Sequence, residues 1–211
     1  MTDDESARSL SEIVAGLGSS DTGERFEATE ELGIRGDASA AAVSALVAAL
    51  RDPQLLVRMG AIKALGRIGT SAAAAAPALL LAMEQPEQLM HAAWALGTIG
   101  SAAPGVAARL RSLLDDADQE AREVAAMALW RIERHPAAVD VIGEALHSLD
   151  ARLVATAARD LIEIGGRSAA ARLEGVLTSG DEDRARIVRE TIARLGVSPE
   201  VALRSLRDTP H

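Results

Sequence analysis

The sequence predicts an all-α fold, an α-solenoid of about six antiparallel helix pairs, and three observations predict it. One helical motif recurs along the chain about every thirty-two residues, and each copy is preceded by a second apolar stripe of helical period. Pro and Gly punctuate the series where helices should begin and end. The clearest copy is Val57-Arg58-Met59-Gly60-Ala61-Ile62-Lys63-Ala64-Leu65-Gly66-Arg67-Ile68-Gly69.

With Leu65 as anchor, the equivalent positions are Leu32, Leu96, Leu129, Leu161 and Ile192, with successive spacings of 33, 31, 33, 32 and 31. Four residues earlier stand Ala28, Ala61, Ala92, Ala125, Ala157 and Val188, on the same helical face. Three residues after most anchors comes Ile68, Ile99, Ile132, Ile164 or Leu195, and then usually a Gly that signals a helix C-terminus. The first repeat departs with Arg35 in the apolar slot, and the fourth has Glu133 in place of the Gly.

The preceding stripes are Leu10, Ile13, Val14, Leu17; Val43, Leu46, Val47, Leu50; Leu79, Leu80, Met83; Val106, Leu110, Leu113, Leu114; Val139, Ile142, Leu146, Leu149; and Leu173, Val176, Leu177. Pro53, Pro77, Pro86, Pro104, Pro136 and Pro199 fall at expected helix starts, where a missing N–H costs least. Asp21 with Glu24 suggests a capping box, and Asp52, Asp150 and Asp181 suggest further caps. The helices are therefore expected at 4–17 and 21–35, 39–51 and 53–68, 74–84 and 86–99, 104–115 and 118–134, 137–149 and 151–165, 168–178 and 181–195. The repeats span about 4–36, 39–69, 74–100, 104–135, 137–166 and 168–196, with a capping helix at 199–207. With no linker to break the series, residues 1–211 read as one array.

Composition narrows the function classes. The chain is 48% hydrophobic and 25% charged, as a folded, soluble protein is, and no apolar run approaches the roughly 18 residues of a membrane span. The acidic start Met1-Thr2-Asp3-Asp4-Glu5 is unlike a secretory signal, which leads to an expected cytoplasmic location. The absence of Cys excludes disulfides, thiolate zinc sites and a Cys nucleophile. A net charge of -9, with ten acidic residues against three Arg in the first fifty, opposes attraction to nucleic acid.

The residues Val57-Arg58, Ala61, Ala64-Leu65-Gly66 and Ile68-Gly69 resemble the short HEAT-like repeats associated with phycobilisome lyases. The resemblance covers nearly the whole chain and implies a right-handed superhelix whose inner helices line a concave face. It also implies a ladder in which a turn Asp and an Arg six residues later tie neighbouring repeats, matched here by Asp52 with Arg58 and Asp116 with Arg122. Leu89, Val154 and Ala185 replace the Arg elsewhere.

Catalytic relatives of that architecture leave no trace. HEAT-like hydroxylases use His-Glu pairs as iron ligands, whereas His91, His135 and His147 are followed by Ala, Pro and Ser, and His211 ends the sequence. HEAT-like DNA glycosylases need a basic, aromatic-rich groove. Gly18-Ser19-Ser20-Asp21-Thr22-Gly23 lacks the Lys and Ser/Thr of a phosphate loop and reads as a capped turn. No catalytic motif, metal site or cofactor is expected.

What remains is the face opposite the buried stripe. Six before the anchor stand Phe26, Met59, Met90, Glu123, Ala155 and Arg186; two before it stand Glu30, Lys63, Trp94, Met127, Arg159 and Glu190; one after it stand Gly33, Gly66, Gly97, Trp130, Ile162 and Ala193. All three aromatics fall in these rows, beside three Met and next to His91. Large adaptable apolar groups facing water mark binding surfaces, although packing between repeats is the competing reading, above all for Trp130. Arg131, Arg152, Arg159, Arg186 and Arg194 add positive charge towards the C-terminal end, and pairing with nearby carboxylates is their competing reading.

The expected function is a non-catalytic scaffold that binds a protein or peptide through Phe26, Met59, Met90, His91, Trp94 and Met127, with Arg159 and Arg186 as polar anchors. The alternative is a lyase-like or chaperone-like subunit binding a hydrophobic anionic small molecule such as a bilin. Neither nucleic acid nor a membrane is expected as a partner.

Overall fold

The computed structural model describes residues 8–36, 38–101 and 103–209. Among them are thirteen α-helices, one 3₁₀ helix and no strand. In chain order the helices are α1 (Leu10–Gly16), α2 (Thr22–Arg35), α3 (Ala40–Ala49), α4 (Leu55–Ile68), α5 (Ala76–Ala82), α6 (Leu89–Ile99), α7 (Val106–Arg111), α8 (Gln119–Glu133), α9 (Ala138–Ala145), α10 (Ala151–Ile164), α11 (Gly166–Thr178), α12 (Glu182–Ala193) and α13 (Pro199–Asp208). Packing divides the chain into two compact units, Met1–Arg109 and Leu110–His211.

The periodic stripe is what each unit buries. Every anchor (Leu32, Leu65, Leu96, Leu129, Leu161, Ile192) and every small residue four positions earlier is fully buried, so the repeat pattern is a packing pattern. The apolar slot after the anchor is weaker. Ile99 and Ile164 are buried, Ile68 and Ile132 only partly, and Leu195 is exposed because α12 ends at Ala193 before reaching it.

Helix ends follow local chemistry, with corrections. The first helix starts at Leu10 behind a full capping box between Ser9 and Glu12, and the expected start at residue 4 lies outside the described residues. Asp21 does cap α2, accepting from the Glu24 N–H at 2.8 Å, but the Glu24 carboxylate accepts from Ser19 Oγ, so no reciprocal box forms there. Asp150 and Asp181 cap α10 and α12. Asp52 caps no helix: it accepts from the Gln54 N–H inside the turn, and α4 begins only at Leu55. Pro77 and Pro199 occupy the first turn of α5 and α13, whereas Pro86 lies in the turn before α6.

One connection was not expected. A 3₁₀ helix, Gly69–Ala75, joins α4 to α5, so Leu55–Ala82 is a continuous helical stretch. By length and composition alone it is apolar enough to cross a membrane. Its backbone is broken at Gly69 (φ 69°) and at Ala72 (φ -90°, ψ 17°), which makes it two helices of successive repeats and not one rod.

Candidate functional site

The turns are held differently from the expected ladder. Arg58 Nη1 donates to the carbonyls of Asp52 (2.8 Å) and Pro53 (3.1 Å), and Arg122 Nη1 donates to those of Asp116 (2.8 Å) and Ala117 (3.3 Å). Each Arg thus clamps the backbone of its own turn and leaves the Asp carboxylate to other partners. The link between repeats is made by Arg25, which stands seven residues before its anchor as Arg58 and Arg122 do. Arg25 holds the Ser19 and Ser20 carbonyls and also donates from Nε to the Asp52 carboxylate at 2.7 Å. This pair is nearly buried and holds the Asp52 carboxyl below its ordinary pKa, first through the hydrogen bond from Arg25. In the sixth repeat, Arg184 reaches back to the Ser148 (3.1 Å) and His147 (3.0 Å) carbonyls of the preceding turn, doing there what Ala185 cannot.

In the first unit the inner helices are α2, α4 and α6, and α4 is flanked by aromatic side chains on both sides. A Cβ on Gly66 would stand 2.3 Å from Trp94 Cζ3, so the indole of α6 rests on the α4 backbone there. A Cβ on Gly60 would stand 2.1 Å from Thr29 Oγ1 and 3.2 Å from Phe26 Cδ2, so α2 approaches α4 at that second glycine. Gly60 and Gly66 are six residues apart, or about 240° around the helix, which points them at opposite neighbours. Phe26, Met59, Lys63, Met90, His91 and Trp94 are all half-buried: their inner parts pack and their outer parts meet solvent. The packing reading and the surface reading therefore both hold for Trp94.

The second unit overturns the expected exposure of Met127 and decides for packing at Trp130. Met127 and Trp130 are buried in its core, among residues such as Ala126, Val139, Ile142 and Ala158, so Met127 offers no surface to a partner. Arg159 and Arg186 are exposed but engaged within their own helices, Arg159 with Asp160 at 3.1 Å and Arg186 with Glu190 at 3.4 Å and Asp183 at 3.5 Å. Exposed pairs of this kind leave weak, screened charge.

Burial also takes in two carboxyls that periodicity alone did not flag as a pair. Glu123 on α8 is 2% exposed and its Oε1 has no hydrogen-bond partner; burial, with the Asp160 charge second, pushes its pKa up to about 8. Asp160 on α10 is raised as well, mainly by burial, against the pull of Arg159. The signal for Asp160 was visible: it stands one before its anchor, where Ala64, Ala95 and Ala128 stand in other repeats. Among the described residues no cluster of three or more His, Asp or Glu is placed to hold a metal ion.

The repeat geometry and its sequence now meet a common description. The family model for HEAT repeats matches residues 10–89 and 107–193, well over half of the sequence. The chain belongs to the HEAT-repeat family. Solved structures share the HEAT-like solenoid fold. One is an engineered protein, 23% identical, with a TM-score of 0.56 over 97% of this chain and 100% of that one. Another is the complex of CpcE and CpcF of phycocyanin lyase from Nostoc sp. PCC7120, 22% identical, with a TM-score of 0.54 over 99% and 97%. A third is a designed armadillo repeat protein in complex with the peptide (KR)4, 18% identical, with a TM-score of 0.55 over 88% and 99%. At these identities the likeness is one of fold. No curated protein matches the chain.

Proposed function

We propose that this HEAT-repeat protein is a protein-interaction scaffold whose first unit receives a peptide or protein segment across α2, α4 and α6. The observation that carries the reading is the half-buried set Phe26, Met59, Met90 and Trp94, whose outer parts meet solvent while the two rings pack between the inner helices. Phe26 and Trp94 are braced against the α4 glycines, so these rings are pre-positioned and a partner would lose little side-chain entropy in ordering them. Met59 and Met90 supply adaptable contact area beside them. Two of the structural neighbours are themselves complexes, one of CpcE with CpcF and one with a peptide, which is support by analogy of fold. Arg159, Arg186 and Met127 are left out of the proposed surface because they are paired or buried.

The experiment is affinity capture with the wild-type protein and with Trp94→Ala plus Met90→Ala, after thermal melts have verified that the variant is folded. Selective loss of captured proteins is the expected result. Identical sets of captured proteins would remove the site.

A further inference from the structure

The second unit contains a cavity of about 610 Å³ between the C-terminal ends of α8 and α10, the beginnings of α9 and α11, and Thr209 at the end of α13. That volume lies within the roughly 300–1,000 Å³ of small-molecule pockets. Its apolar wall is Trp130, Pro136, Val139 and Ile164.

The polar part of the wall is unequal. Both carboxylates that line it are already neutralised, Asp140 by Arg172 at 2.6 Å and Glu163 by Arg131 through two hydrogen bonds of 2.9 and 2.8 Å. Arg134 is different. Its guanidinium lies 5.0 Å from the centroid of the Trp130 ring, and it makes no hydrogen bond or ion pair through that guanidinium with any described residue. The aromatic face fixes the guanidinium while its in-plane N–H donors stay unused, which is the arrangement that recognises an oxyanion.

The backbone that places Arg134 is also exceptional. Arg134 is the α8 C-cap at φ 53°, the one non-glycine residue with positive φ among the described residues, whereas α2 and α6 end on Gly36 and Gly100 in the same left-handed conformation. The left-handed region disfavours an L-residue, and at those two helix ends the repeat uses Gly instead. With Glu133 where other repeats have Gly, α8 runs one residue further and the left-handed cap falls on Arg134, which lies over Trp130 and lines the cavity.

We infer that this cavity binds a small organic anion, a carboxylate or sulfonate on an apolar body, with Arg134 meeting the anionic group and Trp130, Val139 and Ile164 covering the body. The inference is independent of the protein-partner reading of the first unit. The test uses anilinonaphthalene sulfonate as the anionic probe and N-phenylnaphthylamine as its uncharged counterpart, in a Trp94→Phe background so that only Trp130 emits. The sulfonate should bind with one-to-one stoichiometry and quench Trp130. Arg134→Gln should weaken it about tenfold or more and leave the uncharged probe unchanged. Ser168→Trp, which fills the cavity from an exposed lining position, should abolish binding of both, whereas Ile34→Ala, at an exposed position of the first unit, should alter neither. Equal loss of both probes in Arg134→Gln, undiminished sulfonate binding in that variant, or indifference to Ser168→Trp would each overturn the assignment.

Discussion

Trp94 rests on Gly66: a Cβ at that glycine would lie 2.3 Å from Cζ3 of the indole and 2.9 Å from Cη2. Glycine inside a helix is ordinarily a liability of roughly 1 kcal/mol relative to alanine. Here it is the condition for close approach of α4 and α6. Gly66→Ala should therefore lower the melting temperature despite the better helix propensity, because overpacking costs roughly 1–3 kcal/mol and the ring is too rigid to give way. In a Trp130→Phe background the same substitution should shift the Trp94 emission to the red. An unchanged spectrum would show that the ring is not seated there.

The buried carboxyl of Glu123 gives a second expectation. Its folded pKa of about 8 stands above its ordinary 4.5, so the folded state holds a proton that the unfolded state releases. Stability from this group is complete below about pH 4.5 and is lost as pH rises towards 8. Glu123→Gln should flatten that slope in thermal melts taken between those limits, with Asp160, shifted in the same sense, leaving a residual slope.

Asp52 predicts the opposite sign at the acid end. Its pKa is depressed by Arg25, so its contribution is present above its ordinary 3.8 and is lost as pH falls below that value through the folded pKa. Asp52→Asn should lower the melting temperature at neutral pH and bring it closer to wild type in acid. The comparison is most informative against Arg58→Gln, which releases the turn carbonyls and only a lesser Coulombic pull on Asp52, and should show a weaker pH dependence of the same sense.

Two leucines of the repeat pattern, one at an anchor and one three residues after an anchor, should behave unequally. Leu65 is fully buried, and Leu65→Ala should cost roughly 2–5 kcal/mol in denaturant unfolding. Leu195 is 55% exposed, and Leu195→Ala should stay within roughly 0.5 kcal/mol.

The difference between Leu65 and Leu195 also marks what could be read before any coordinates. The anchor and the small residue before it are forced into the core by helical periodicity in every repeat, and so the fold class and the order of the helices were legible, their ends only to within a few residues. Whether a side chain on the opposite face stays open depends on its neighbour in the next repeat, and no single-repeat periodicity carries that information. Trp94 has a glycine to lie on and keeps an outer edge in solvent; Met127, in the same row, is enclosed. The ladder was misread for a related reason, since spacing identifies Arg58 but not which oxygen it finds. Arg134 was missed altogether, because the glycine absent at position 133 does not say which later residue takes the left-handed cap.

The clamped turns bear on how such a chain changes length. The repeats closed by Arg58 and Arg122 bring their own donor for the carbonyls of their turns, so duplicating either block by unequal recombination strands no backbone group, and neither does excising the Arg122 block. The first and sixth repeats are tied to a neighbour through Arg25 and Arg184, and removing that neighbour orphans an arginine or a turn. Growth and loss of units should therefore be easier at the repeat of Arg122 than at the pairs of repeats joined through Arg25 and Arg184.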